Sequence, residues 1–215
     1  MNRIFPCLFM IALVTNLQCG AARASTFDVS ISTSPIQGDA GFFAFDFLGG
    51  TPIENNTVTI SDFTTDGALG SLALTGGASG TLVPGPATLD DSQFFNEVLQ
   101  AVSFGANASF VLDLTTNSAA GGIPDSFSFF VLDSTRTPYA TSDPSGADSL
   151  FSIDVSGSEL TPQVFSSGFA SVSIRPAFST VGEPSTCAFC IAGGVLSLLA
   201  LLLTRAGNDV RLSRR

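Results

Sequence analysis

A two-residue alternation runs through the middle of this chain, and it constrains the fold more than any other feature. In TFDVSIS, Phe27, Val29 and Ile31 fall on one side while Asp28, Ser30 and Ser32 fall on the other. GFFAFDFL repeats the pattern with Phe43, Phe45 and Phe47. Successive side chains of extended backbone point to opposite sides, so this period marks a strand with one face buried. Further strands are predicted at TVTIS (57–61), SFVLDL (109–114), SFSFFVLD (126–133), LFSIDV (150–155) and ASVSI (170–174). The segments between them, among them LGGTP, GGASG, SAAGGIPD and SDPSGAD, are rich in the residues that reverse an extended chain. FFNEVLQAVSFG (94–105) has room for a helical turn but reads better as extended.

Many short strands joined by polar turns predict an all-β domain over residues 25–175, an antiparallel β-sandwich of jelly-roll or immunoglobulin-like form. Seventeen of the twenty phenylalanines fall between the two ends of the chain, and they are expected to supply the core. Each fully buried ring contributes about 1.5–3 kcal/mol. Residues 176–182 read as a linker.

The residue inventory excludes much chemistry. The chain has no histidine, which removes Ser-His-Asp and Cys-His machinery and the usual zinc sites. All eight basic residues are arginine, so neither a lysine phosphate loop nor a Schiff base is available. Between Ser25 and Thr180 only Arg136 and Arg175 face sixteen acids, a net charge of 2 − 16 = −14. So acidic a surface repels nucleic acid, whose binding depends on basic residues neutralising phosphates. Paired-carboxylate hydrolysis is the remaining catalytic option, but Asp90 and Asp91 are adjacent and read as a solvated turn rather than two groups across a cleft. The expectation is a protein without catalysis and without a cofactor.

Both ends read as addresses. MNRIFPCLFMIALVTNLQCGAARAS has a basic start at Arg3, an apolar stretch from Ile4 to Val14 and small residues at Ala22 and Ala24, the positions a signal peptidase reads. Residues 1–24 are therefore expected to be an export signal cleaved before Ser25. Lipidation at Cys19 is the rival, but Gln18 before it is not small. At the other end, Cys187–Thr204 is apolar, and no charge occurs between Pro184 and Thr204. Eighteen residues at ~1.5 Å each make about 27 Å of helix, close to the roughly 30 Å hydrocarbon core of a bilayer. Arg205, Arg211, Arg214 and Arg215 follow, against the single acid Asp209. An excess of arginine is retained on the cytoplasmic side, which places residues 25–183 outside. Cys7 and Cys19 leave with the signal and Cys187 and Cys190 fall in the apolar run, so the domain itself has no cysteine.

Just ahead of that run stand Val181, Gly182, Glu183, Pro184, Ser185 and Thr186. A Val-x-Glu-Pro-Ser-Thr sequence, an uncharged helix and an arginine-rich end, in that order over residues 181–215, resemble the PEP-CTERM sorting signal of Gram-negative bacteria. The usual core of that family is Pro-Glu-Pro, and Gly182 stands here in place of the first proline. The resemblance implies recognition by exosortase, a membrane-embedded cysteine transpeptidase, after transient anchoring in the inner membrane. Removal of the helix and tail then delivers the domain to the cell envelope or extracellular matrix. FDVSISTSPIQG, FDFLGG, NEVLQAVSFG and the Asp-Pro-Ser-Gly-Ala-Asp stretch are also similar to a group of PEP-CTERM proteins of unassigned biochemical function. That likeness speaks to fold and implies no activity.

Two loops carry acids in a density that raises calcium as a minority reading. Asp143, Ser145 and Asp148 lie in SDPSGADS, and Asp62 and Asp66 in SDFTTDG. Calcium takes oxygen ligands from such loops, yet neither has the spacing of a known calcium loop. The expected function is that of an exported, non-catalytic surface or matrix protein, with exopolysaccharide as a partner to consider. The alternative is an adhesion module binding calcium or glycan through loops at a sandwich end. Stacking platforms for sugar are sparse, since there is no tryptophan and Tyr139 is the single tyrosine.

Overall fold

A computed structural model describes residues 24–50, 56–117, 123–155 and 160–177. Contacts gather Ala22–Phe178 into one compact unit. Its described residues form twelve strands: β1 (Ala24–Ser32), β2 (Ala40–Leu48), β3 (Thr57–Thr65), β4 (Ala68–Thr75), β5 (Ala78–Gly80) and β6 (Ala87–Asp90), then β7 (Phe95–Ser103), β8 (Asn107–Thr115), β9 (Asp125–Asp133), β10 (Phe151–Val155), β11 (Gln163–Val164) and β12 (Ser171–Pro176). They make two six-stranded sheets, one in the order β12-β1-β8-β3-β6-β5 and the other β11-β10-β9-β2-β7-β4. Every pairing between them is antiparallel. The two-sheet antiparallel sandwich expected from the alternation is present.

Register explains which residues meet. Val29 of β1 stands opposite Phe110 of β8, and Ile60 of β3 stands opposite Leu112. Phe45 lies between Val98 of β7 and Phe129 of β9 in the second sheet. All of these point inward and are buried. Ring centroids of Phe45 sit 5.0 Å from Phe129 and 5.2 Å from Phe110, both edge-to-face, and Phe129 stacks on Phe151 at 5.5 Å. Such contacts add about 0.5–1.5 kcal/mol per pair beyond the area they bury. An aromatic seam thus joins the two sheets.

The chain crosses from the first sheet to the second by a tight reversal at Asp66–Gly67, between β3 and β4. Both strands are irregular near it, with register shifts at Ser61/Thr64 and at Leu69/Leu72. Asp62, in the first of these, has φ 51°. An extra residue bends a strand and sharpens its twist, which lets consecutive strands enter different layers. Gly41 permits another close approach, since a Cβ there would collide with the Leu132 carbonyl oxygen and meet the Phe104 ring at 2.6 Å.

Four elements depart from the sequence expectation. β4, β5, β6 and β11 were not foreseen, and GGASG (76–80) is not wholly a turn, because Ala78–Gly80 pairs with Ala87–Leu89. The 94–105 segment is extended, as β7. Not every phenylalanine enters the core: Phe94 is 76% exposed and Phe95 39%.

Candidate functional site

The outer faces of the two sheets differ in chemistry. On the first sheet, Asp28, Ser30 and Ser32 of β1 stand beside Arg175, Ser173 and Ser171 of β12 and Val111, Ser109 and Asn107 of β8, a face that is mostly hydroxyl and charge. On the second, β2 presents Phe42, Ala44, Asp46 and Leu48. Phe130, Ala44 and Leu99 line up across β9, β2 and β7, as do Leu132, Phe42 and Ala101. Ala44, Leu99 and Leu132 are buried there, with Phe42 and Phe130 packed against them. The turn after β9 folds back onto this face: Leu132 bridges to Pro138, and the Arg136 guanidinium lies 5.3 Å from the centre of the Phe42 ring. A cation over a ring face is attracted by the ring quadrupole.

Asp46 and Glu97 stand directly opposite each other next to this apolar group. Burial, and then the charge of Glu97, push the Asp46 carboxyl up to about 7. Burial also raises Glu97, with Arg136 opposing. Oδ1 of Asp46 is buried and has no hydrogen-bond partner. An unpaired buried oxygen is costly to the fold, and more so when charged. Asp46 can therefore hold or release a proton near neutrality and can accept a hydrogen bond, but the pair lies on a sheet face and not across a cleft.

A second polar group ties three loops at one end of the sandwich. Asn56, fully buried, donates from Nδ2 to Asp125 Oδ2 (2.7 Å) and to the Asn117 carbonyl (2.8 Å). Its Oδ1 accepts from the Asn117 N–H (2.8 Å) and the Thr115 hydroxyl (3.2 Å). Asp125 Oδ1 accepts from the Gly50 N–H (2.6 Å), and Asp91 Oδ2 from the Asn56 N–H (2.8 Å). Asp91 is raised chiefly by burial, which the Asn56 N–H opposes and Asp125 reinforces. Asp91 is thus half-buried and bonded, a correction to the solvated turn expected at Asp90 and Asp91. This group is a clasp, with its hydrogen-bonding capacity spent inside the protein.

The 143–148 loop resolves into turns, whereas Asp62 falls within β3 at its register shift, a correction to the loop expected at SDFTTDG, and only Asp66 stands in the reversal after it. Asp143 Oδ1 accepts from the Ser145 N–H (2.9 Å), and Oδ2 from the Ser149 hydroxyl (2.7 Å) and N–H (3.1 Å). Burial works against the Asp143 charge, but the bonds from Ser149 and Ser145 outweigh it and hold the carboxyl below its ordinary value. Asp148, at φ 63°, accepts from the Thr141 N–H (2.9 Å). Asp66 accepts from the Asn107 N–H at 2.8 Å. Among the described residues no three acidic side chains group as cation ligands. Near the same end of the sandwich as the Asp143 loop, Ser32, Ser34, Pro35, Ser167 and Gly168 line an open groove of about 320 Å³.

Ala24, expected at the signal cleavage point, is the exposed first residue of β1. Ala22, the sorting residues Val181, Gly182, Glu183, Pro184, Ser185 and Thr186, the apolar run 187–204 and the tail arginines 205, 211, 214 and 215 lie outside the described residues. Among the described residues no helix is long and apolar enough to cross a membrane.

Fold and polar groups together define an acidic, phenylalanine-cored antiparallel β-sandwich. No protein-family model, no curated protein and no solved structure matches the chain.

Proposed function

We propose that this is an exported, non-catalytic surface or extracellular-matrix protein, sorted through a PEP-CTERM-like signal at residues 181–215 and cleaved from its membrane helix by an exosortase. One observation carries the reading. The sandwich starts at Ala24 and its last strand ends at Pro176, so a self-contained fold fills the interval between the two addresses read from the sequence. That interval has no cysteine, and its core is closed by aromatic packing instead.

The nesting of the first eight strands favours the jelly-roll form over the immunoglobulin-like one. β8 lies between β1 and β3, with β6 beyond; β7 lies between β2 and β4 in the other sheet. Strands 1, 8, 3 and 6 opposing 2, 7 and 4 is the order produced when a long hairpin rolls up, and jelly rolls are built so. Here β5 pairs with β6, and β9–β12 widen both sheets at one side.

The intact mass of the product from its native host tests the sorting reading. The expected species begins at Ser25 and lacks residues 187–215, whereas a mature species that retains them overturns it.

A further inference from the structure

Four strands end the two sheets, β12 and β5 in the first and β11 and β4 in the second. An edge strand presents a row of unpaired N–H and C=O groups, which proteins commonly blunt by shortness, charge or proline. Three of these four edges are blunted in that way. β5 has three residues and β11 two, while β12 carries Arg175 and ends at Pro176. β4 runs for eight residues, ALGSLALT, with no charge and no proline. Among the described residues it pairs with β7 alone. Its irregularity lies early, where Gln100 Nε2 donates to the Gly70 carbonyl at 3.0 Å. From Leu72 to Thr75 the register with β7 is regular, and there the outer edge is an open ladder. What completes such a ladder is another strand.

The space between the sheets is also short of cover on this side. Leu69, Leu72 and Leu74 stand opposite Val102, Gln100 and Val98, all buried, so the three leucines point inward. Leu72 packs on the core, yet Leu69 is 37% and Leu74 42% exposed. β5, which ends the facing sheet, does not close over them with its three residues.

Charge selects the strand that can approach. Residues 25–180 carry −14, which keeps copies of the chain apart over most of their surface. From Gly67 to Leu89 no residue is charged, the longest such run in that span, and it supplies β4, β5 and most of β6. Along this side two copies meet without acid facing acid across the seam.

We propose that β4 is a self-association edge, taken by β4 of a second copy, antiparallel and related by a two-fold axis through Ala73. A two-fold contact uses the same patch on both copies, so the patch must complement itself. β4 does so. With Ala73 on the axis, Leu72 stands opposite Leu74 of the partner subunit, an apolar pair on the inward side. The added strand completes the ladder of Leu72–Thr75, covers the exposed leucines and joins two six-stranded sheets into one. Any other partner would have to bring an uncharged, apolar strand with a free edge, and every copy of this chain already carries one.

Sedimentation of the full chain in a mild detergent tests this, in salt that screens the net charge of each copy beyond about 8 Å. The wild type is expected to dimerise reversibly. Ala73 is exposed, and A73K sets two lysines face to face on the axis. Like charges directly opposite are expected to weaken the dimer roughly fivefold. A73E is expected to weaken it similarly, and an equimolar mixture of the two variants to restore it, because lysine then faces glutamate. S173K, on the exposed β12 edge, is expected to leave the dimer unchanged. Unchanged circular dichroism shows that the variants fold, and the restored mixture shows it independently. A wild type that stays monomeric overturns the proposal. So does a dimer indifferent to A73K and A73E, which places the contact elsewhere, or a mixture no tighter than either variant alone, which means that β4 does not meet β4.

Discussion

Asp46 is the residue whose environment and chemistry agree least. It sits beside Ala44 and Leu48 on its own strand, opposite a second acid, and one oxygen has no partner. Its carboxyl, raised to about 7 from an ordinary 3.8, binds a proton more tightly in the folded chain than in the unfolded one. Stability contributed by that proton is complete below pH 4. It is lost as the pH rises from about 4 to 7, because the unfolded chain ionises first, and it is flat above. The loss expected across that window is on the order of 2–4 kcal/mol at 1.36 kcal/mol per unit. Asp46→Asn has no such proton to lose. Urea unfolding of the wild type and the variant at pH 4.5 and 8 checks this. The variant gains on the wild type at the higher pH, and parallel curves refute the assignment.

At the scale of elements, the clasp replaces what a longer hairpin would do. The Asn56 side chain makes four bonds that reach β8, the segment after it and the start of β9. Asn56→Ala strands a buried Asp125 oxygen and removes the bonds to Asn117 and Thr115, and is expected to cost about 3 kcal/mol. Thermal unfolding of the variant reads this directly, and a midpoint within a degree of the wild type would contradict it. Asn56 was visible in the sequence only as part of Asn55-Asn56-Thr57. No periodicity marks a residue whose side-chain partners lie 59–69 positions away. The strands that could be read, β1, β2, β3, β8, β9, β10 and β12, carry apolar residues at every second position, and β7 lies in the segment 94–105 that reads as extended. The ones missed are of a different kind. ALGSLALT has the composition of a helix or a loop, and becomes β4 only because β7 offers an edge to pair with. Ala78–Gly80 is too short and too small to announce itself, and is held by β6. Alternation also records one face alone. In GFFAFDFL the other face carries Phe42, Ala44 and Asp46, which the alternation of Phe43, Phe45 and Phe47 leaves out.

At the scale of the molecule, the acids of the 143–148 loop are taken up by turn chemistry. Asp143 accepts from the Ser145 N–H and from the N–H and hydroxyl of Ser149, and the Ser145 hydroxyl accepts from the Ala147 N–H. The sandwich has a chain-exit end, tied by the clasp and rimmed with apolar residues, and a far end of serines and acid turns. Among the described residues β12 is an edge strand that runs along the axis joining these two ends and pairs only with β1. That placement decides how the protein bears tension. When a load pulls on the C-terminal end while the far loops are held, the whole β12–β1 ladder, from Ser171 to Pro176, is sheared at once, and its bonds share the force. When the two ends at residues 24 and 177 are drawn apart, the same ladder opens one bond at a time. Single-molecule pulling between residues 145 and 177 should therefore rupture at a severalfold higher force than pulling between 24 and 177. A protein stretched between a surface and whatever its far loops hold would meet its load in the stronger of these two directions.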